Sequence, residues 1–186
     1  MRFFSDRYCK QGLVRPLQGL SDRLPDHLAA SPDLVIRTLR SIGLDLQQMI
    51  HHDRKAHGDR YPLHLWSSRR ADTAIDHRRL PNLHAFIRAF AESKSVLVDS
   101  AEKRAAFWPG DLVFWTPGGG GVHPGLVGIV LDRRDERGVP LVMTVTHEDG
   151  WVTDHHKIND WPITGHYRIE PDDFLEAYLE KNPNAE

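Results

Sequence analysis

The sequence predicts an α+β fold, with helices in the first half, a mostly antiparallel sheet in the second and a closing helix. Three observations predict it. In the first half, apolar residues recur at helical spacing, as in Val35, Leu39 and Ile42, and again in Leu83, Phe86, Ile87 and Phe90. In the second half the period changes: DLVFWT (111–116), GLVGIVLD (125–132) and VPLVMTVT (139–146) are short β-branched or aromatic runs bounded by turn formers. Finally, Pro171-Asp172-Asp173 opens a helical pattern with Phe174, Leu175, Tyr178 and Leu179 predicted to face inward.

In chain order, Ser31 is a preferred N-cap, Pro32 suits the first helical position and Asp33 complements the positive end of the dipole. Gly43 is placed to end that helix. A second helix starts at Asp45, with Gln48 completing a capping box and Leu44 and Met49 at staple spacing. His51-His52-Asp53 reads as its end, where a cationic histidine favours the dipole. A polar stretch from Gly58 to Arg79 follows, and Pro81 opens the third helix. The loop Arg133–Gly138 joins two of the strand runs as an antiparallel hairpin, and ITGHYRIE (163–170) is a further strand.

With 186 residues, one well-buried core is the default. Cys9 is the only cysteine, which excludes an intrachain disulfide and a cysteine-based zinc site. A formal charge of −2 argues against nucleic acid as partner. No apolar run approaches the roughly 18–20 residues that cross a bilayer. Polar residues from Ser5 onward interrupt any signal-peptide pattern, so the expected location is cytoplasmic, or outside the cell by a signal-independent route. No cofactor or metal is expected: His123 with His147-Glu148-Asp149 fits no zinc signature.

The strings SPDLVIRTLRSIGLDLQ, HHD (51–53), IDHRRLPNL (75–83), PGDLVFW (109–115), GIVLD (128–132), PLV (140–142) and ITGHYR (163–168) occur in an order that resembles the DUF1287 family. That bacterial family looks like a branch of the NlpC/P60, papain-like cysteine hydrolases. The resemblance covers roughly residues 28–170 and implies three parts: residues 1–27 as an extension packed on the domain, 28–180 as the domain, and 181–186 as a tail. It implies a papain-like fold in which a cysteine at a helix N-terminus is activated by a strand histidine, itself oriented by a polar group on the next strand. A helix N-terminus suits this chemistry because its dipole and free N–H groups stabilise a thiolate or an oxyanion.

The sequence departs from that pattern at all three places. The family's Cys-Thr-Asp is here Ser31-Pro32-Asp33, its histidine aligns with Leu126, and its third polar position falls on Thr144. The nearest histidines are His123 and His147, each three residues away. The candidate catalytic set is therefore Ser31 as nucleophile, His123 as base and His147 as its orienter. The candidate substrate contacts are Asp33, Gly121, Asp76, His77 and Arg78. Each has a local alternative. Ser31 as a cap alone is worth ~1 kcal/mol. His123 can be a loop histidine and His147 a solvated strand end. Asp33 can pair with Arg37 at i,i+4, and His77-Arg78-Arg79 and His166-Tyr167-Arg168 can form buried polar networks, with Asp76 facing an arginine. Two functions follow. One is hydrolysis of amide bonds in a peptidoglycan peptide or another acyl substrate. The other is a degenerate member that binds a cell-wall peptide, glycan or protein partner without cleavage.

Overall fold

A computed structural model describes residues 31–66, 69–119, 121–146 and 152–184. Helix α1 (Ser31–Arg40) and helix α2 (Leu46–Ala56) come first, then three short 3-10 turns and helix α3 (Leu80–Phe90). Strand β1 (Glu92–Ser93) and the short helix α4 (Ala101–Ala105) lead into strands β2 (Leu112–Trp115), β3 (Leu126–Arg134), β4 (Pro140–Val145), β5 (Val152–Lys157) and β6 (Ile163–Arg168). Helix α5 (Pro171–Lys181) closes the fold. The six strands form one sheet in the order β1-β6-β2-β3-β4-β5, antiparallel at every pairing.

The helix signals act as their chemistry dictates. Asp45 caps α2 by accepting a hydrogen bond from the Gln47 N–H at 3.1 Å. Gly43 takes φ +98° after α1, a value that other residues adopt only with strain. Leu34, Val35, Leu39, Leu46, Ile50, Leu83, Phe86 and Ile87 pack onto Leu112, Phe114, Val127, Ile129, Met143 and Tyr167, which line one sheet face. The opposite face carries a second, smaller core of Val113, Trp115, Leu126, Val130 and Val142, closed by Phe107, Val139 and Ile158. Gly128 lies where β3 and β4 press together: an added Cβ would come within 2.6 Å of Val142 Cγ1 and 2.9 Å of the Met143 carbonyl.

Several local expectations are corrected. His51-His52-Asp53 lies inside α2, which runs on to Ala56. Asp53 is fully buried there, ion-paired with Arg60 and accepting from Tyr61 Oη at 2.6 Å and Asn182 Nδ2 at 3.2 Å. Burial and the Asp53 charge push the Tyr178 hydroxyl up to about 12. On α5, Phe174 and Tyr178 are buried, but Leu175 and Leu179 are 40% and 45% exposed, because the stripe facing the core is narrower than the apolar pattern. Strand β5, VTDHHK, is a sheet edge that its polar composition conceals. Residues 1–27, expected to pack as an extension, lie outside the described residues. Asn182, assigned to the tail, is buried and bonded to Asp53.

Candidate functional site

Ser31 opens α1 and is 4% exposed. Its hydroxyl oxygen faces the sheet: the Val127 N–H donates to Ser31 Oγ at 3.3 Å. Thr144 is fully buried, and its Oγ1 donates to the Val127 carbonyl at 2.6 Å. Two hydroxyls from two elements therefore hold the backbone of one β3 residue. An unmatched buried N–H or carbonyl there would cost on the order of 1–3 kcal/mol, which gives both side chains a structural use.

The pleat of β3 sets which face Leu126 occupies. Side chains alternate along a strand, so Leu126 and Val130 join the core on the far face while Val127 and Ile129 face the helices. Leu126 thus points away from the face that carries Ser31. His123 sits in the β2–β3 loop, half-buried, its ring 6.2 Å from that of His64. Among the described residues no hydrogen bond joins Ser31 to an imidazole, and His147 lies outside them. No group of acids, histidines or cysteines among the described residues is arranged to hold a metal ion.

The candidate substrate contacts are drawn inward. Asp33, only 6% exposed, pairs not with Arg37 but with Arg78, in a two-pronged bridge at 2.9 and 2.8 Å. The reason is long-range: the turn Asp76–Arg78 packs on α1 and brings a fork-shaped donor to the first helical turn. Asp76 pairs with Arg54 and Arg79 and accepts from the Asp72 N–H at 2.6 Å. Arg54 also reaches the carbonyls of Arg70 and Arg69. His77 is buried with Nδ1 unpartnered, and burial holds its ring below the ordinary histidine range, with Arg78 and Arg40 adding to the effect against Asp33. Gly121 is exposed in the β2–β3 loop, and a Cβ there would meet Thr116 Cγ2 at 2.9 Å.

A second polar knot explains PGDLVFW and ITGHYR. Asp111, before β2, accepts from Arg168 Nε and His166 Nε2, each at 2.7 Å, and from the Trp108 N–H at 2.9 Å. The His166 ring stacks on Phe107 at 3.9 Å, and its Nδ1 lies 2.7 Å from the Ser95 carbonyl. Burial alone would raise the Asp111 carboxyl, but the donors from Arg168, His166 and Trp108 outweigh it and hold it below the usual range.

Sequence reasoning missed His84. Leu80, His84 and Ile87 stand at i, i+4 and i+7 on α3, so a titratable ring rides the apolar stripe, and that spacing is the signal. Its Nε2 lies 2.9 Å from Tyr167 Oη, and its ring packs on Phe114 at 4.7 Å. Burial, with Arg88 and His123 adding, pushes His84 down to about 4. The unfolded chain therefore binds a proton, near pH 6.5, that the native state refuses until about pH 4. Stability is full above the higher value and falls as pH drops through this window, by on the order of 2–3 kcal/mol. Urea midpoints from pH 7 to 4 should fall accordingly, and the fall should flatten in His84→Gln. An unchanged slope in that variant would refute the assignment. His51, lowered by burial with Lys55 and His52, and His77 act in the same direction and leave a residual slope.

Among the described residues no helix is long and apolar enough to cross a membrane. The chain is 32% identical over 146 residues to the uncharacterized protein YijF of Escherichia coli (strain K12), covering 78% of this chain and 66% of that relative. It thus spans slightly less than two thirds of the relative's length. No solved structure matches it. A family described as a domain of unknown function, DUF1287, matches residues 22–169, and with that match over most of its length the chain belongs to the DUF1287 family.

Proposed function

We propose that this is a papain-like, NlpC/P60-type fold whose hydrolytic chemistry has lapsed, and that it holds a cell-wall peptide, glycan or protein partner without cutting it. One observation carries the reading. Ser31 and Thr144, aligned with two of the three places where such a hydrolase needs reactive side chains, both bond the Val127 backbone, one at its N–H and the other at its carbonyl. A serine needs a base within hydrogen-bond reach to become a nucleophile, and among the described residues Ser31 has no hydrogen bond to an imidazole or carboxylate. The third place, Leu126, carries no titratable group and lies on the other sheet face.

A second reading, an amide hydrolase using Ser31, His123 and His147, is favoured by the position of Ser31 at the start of α1 against the sheet. There the dipole would favour a developing negative charge. Incubation with purified peptidoglycan separates the two. Wild type, Ser31→Ala and Ser31→Cys should all release no more muropeptide than buffer, while wild type sediments with insoluble sacculi. Release by wild type that Ser31→Ala abolishes would establish the hydrolase and end the binding-only reading.

A further inference from the structure

On the sheet face opposite Ser31, the turn between β5 and β6 carries Asn159, Asp160 and Trp161, and the segment that follows β1 passes beside it. Between them lies a cleft of about 320 Å³, walled by Val96, Val98 and Ile163 and rimmed by the three turn residues. An apolar wall with a few polar groups is the ordinary make-up of a small-ligand site, and the size falls at the lower end of the usual range of about 300–1,000 Å³. The part-exposed Trp161 ring is held in place: its centroid lies 5.7 Å from that of Trp115, edge to face, and 5.0 Å from that of His156. Trp115 is itself fully buried and donates through Nε1 to the Ile158 carbonyl at 2.8 Å.

The rim holds three polar groups without a protein partner. Asn159 is exposed, and its amide makes no hydrogen bond among the described residues. Asp160 Oδ2 accepts from the Lys157 N–H at 2.8 Å and stands 3.5 Å from His156 Nδ1, but no described residue bonds its Oδ1. The Trp161 indole N–H, unlike that of Trp115, has no acceptor among the described residues. This lining selects a ligand class. No lysine or arginine lines the cleft, and Asp160 repels an anion, so a carboxylate or phosphate is disfavoured. An apolar side chain would cover the wall but leave the rim groups unpaired as they lose water. A pyranose ring meets both demands, because the C–H bonds of one face make it apolar against an aromatic ring while its hydroxyls form a polar edge. An N-acetyl substituent adds an N–H for a carboxylate and a methyl group for the valine wall.

We propose that this cleft binds one neutral, N-acetylated sugar ring of a glycan, with Trp161 against its C–H face, Asn159 and Asp160 on its hydroxyls and amide, and Val96 and Val98 beside its acetyl methyl. This rests on the reading that the protein holds a cell-wall ligand, and it selects the glycan from the partners that reading allows. The cleft lies on the other sheet face from Ser31 and uses none of the residues around it.

The test is an NMR titration of the full chain, read at the Trp161 indole N–H and the Asn159 side-chain amide. The probe is a β-1,4-linked tetramer of N-acetylglucosamine, against maltotetraose and tetra-alanine at equal concentration. The N-acetylated tetramer should shift both signals saturably, and the two controls should not. Asn159→Ala and Val96→Glu alter exposed side chains, so both should keep the wild-type urea midpoint. Each should weaken binding of the tetramer about fivefold or more. No saturable shift, equal shifts with either control, or an affinity in either variant within about twofold of wild type would overturn the subsite. Sacculus sedimentation separates the cleft from the reading it rests on. Sacculi bound equally by wild type and both variants, with a silent Trp161 signal, remove the cleft alone. Shifted signals without sacculus binding leave the cleft standing as a glycan site and remove the cell-wall reading.

Discussion

Asp111→Ala is expected to cost about 3–5 kcal/mol, because it strands the Arg168 guanidinium and the fully buried His166 ring at once. The carboxylate is 2% exposed and receives Arg168 through two nitrogens, His166 through Nε2, and the Trp108 N–H. His166 has no exposed side-chain surface, so its ring cannot exchange the lost acceptor for water. Arg168 is less committed: it stacks on Trp108 at 3.8 Å and also donates to the Ala106 carbonyl. The larger share of the loss therefore falls on His166. A domain is usually stable by only about 5–15 kcal/mol, so the variant should be partly unfolded at ambient temperature or show a sharply lowered urea midpoint. Asp111→Asn, which can still accept from one donor, should fall between the two. A loss below about 1 kcal/mol in Asp111→Ala would mean that the knot does not hold the 95–108 segment to β2 and β6. Acid should reproduce the effect. The Asp111 carboxyl is held below its usual value, so its contribution is complete above about pH 4 and disappears as pH falls through the native value. This places it below the window in which His84 acts.

The elements legible in the sequence are those whose signal is local. The spacing of Val35 and Leu39, the Asp45 cap, Gly43 and the β-branched runs at 112–115 and 126–131 each report on neighbours a few residues away. β5 was not legible, because an edge strand needs no alternation of buried and exposed residues and VTDHHK shows none. His51-His52-Asp53 has the local look of a helix end, yet it lies inside α2 because Asp53 is paired with Arg60 and bonded by Tyr61 and Asn182, the last 129 residues away. The site follows the same rule. That Ser31 opens a helix is a local fact, and α1 begins there. That its hydroxyl serves Val127, 96 residues on, is set by strand order, as is the bridge from Asp33 to Arg78 across 45 residues. His84 falls between these cases: its stripe position is written in α3, but its partner Tyr167 is known only once β6 lies beside β2.

The same dependence on distant partners sets the second large effect, at Asp76. Asp76→Ala should cost about 3–5 kcal/mol, since it leaves Arg54, whose side chain is 1% exposed, with an uncompensated charge. Arg54→Met should cost less, because Asp76 keeps Arg79 and the Asp72 N–H. The double variant then discriminates between coupling and mere coincidence. With Arg54 already apolar, losing Asp76 no longer strands a buried guanidinium, so the combined loss should fall short of the sum by at least about 1 kcal/mol. Additivity within about 0.5 kcal/mol would show that the two side chains act separately. The effect should also reach the candidate site. Asp76 starts the turn whose Arg78 grips Asp33, two residues from Ser31, so loosening that turn should free the start of α1. Amide exchange at Val127, whose N–H is held by Ser31, should therefore rise in Asp76→Ala more than at Ile129, which lies further along the same strand. Equal acceleration at both amides would assign the whole loss to global unfolding and separate the Asp76 cluster from Ser31.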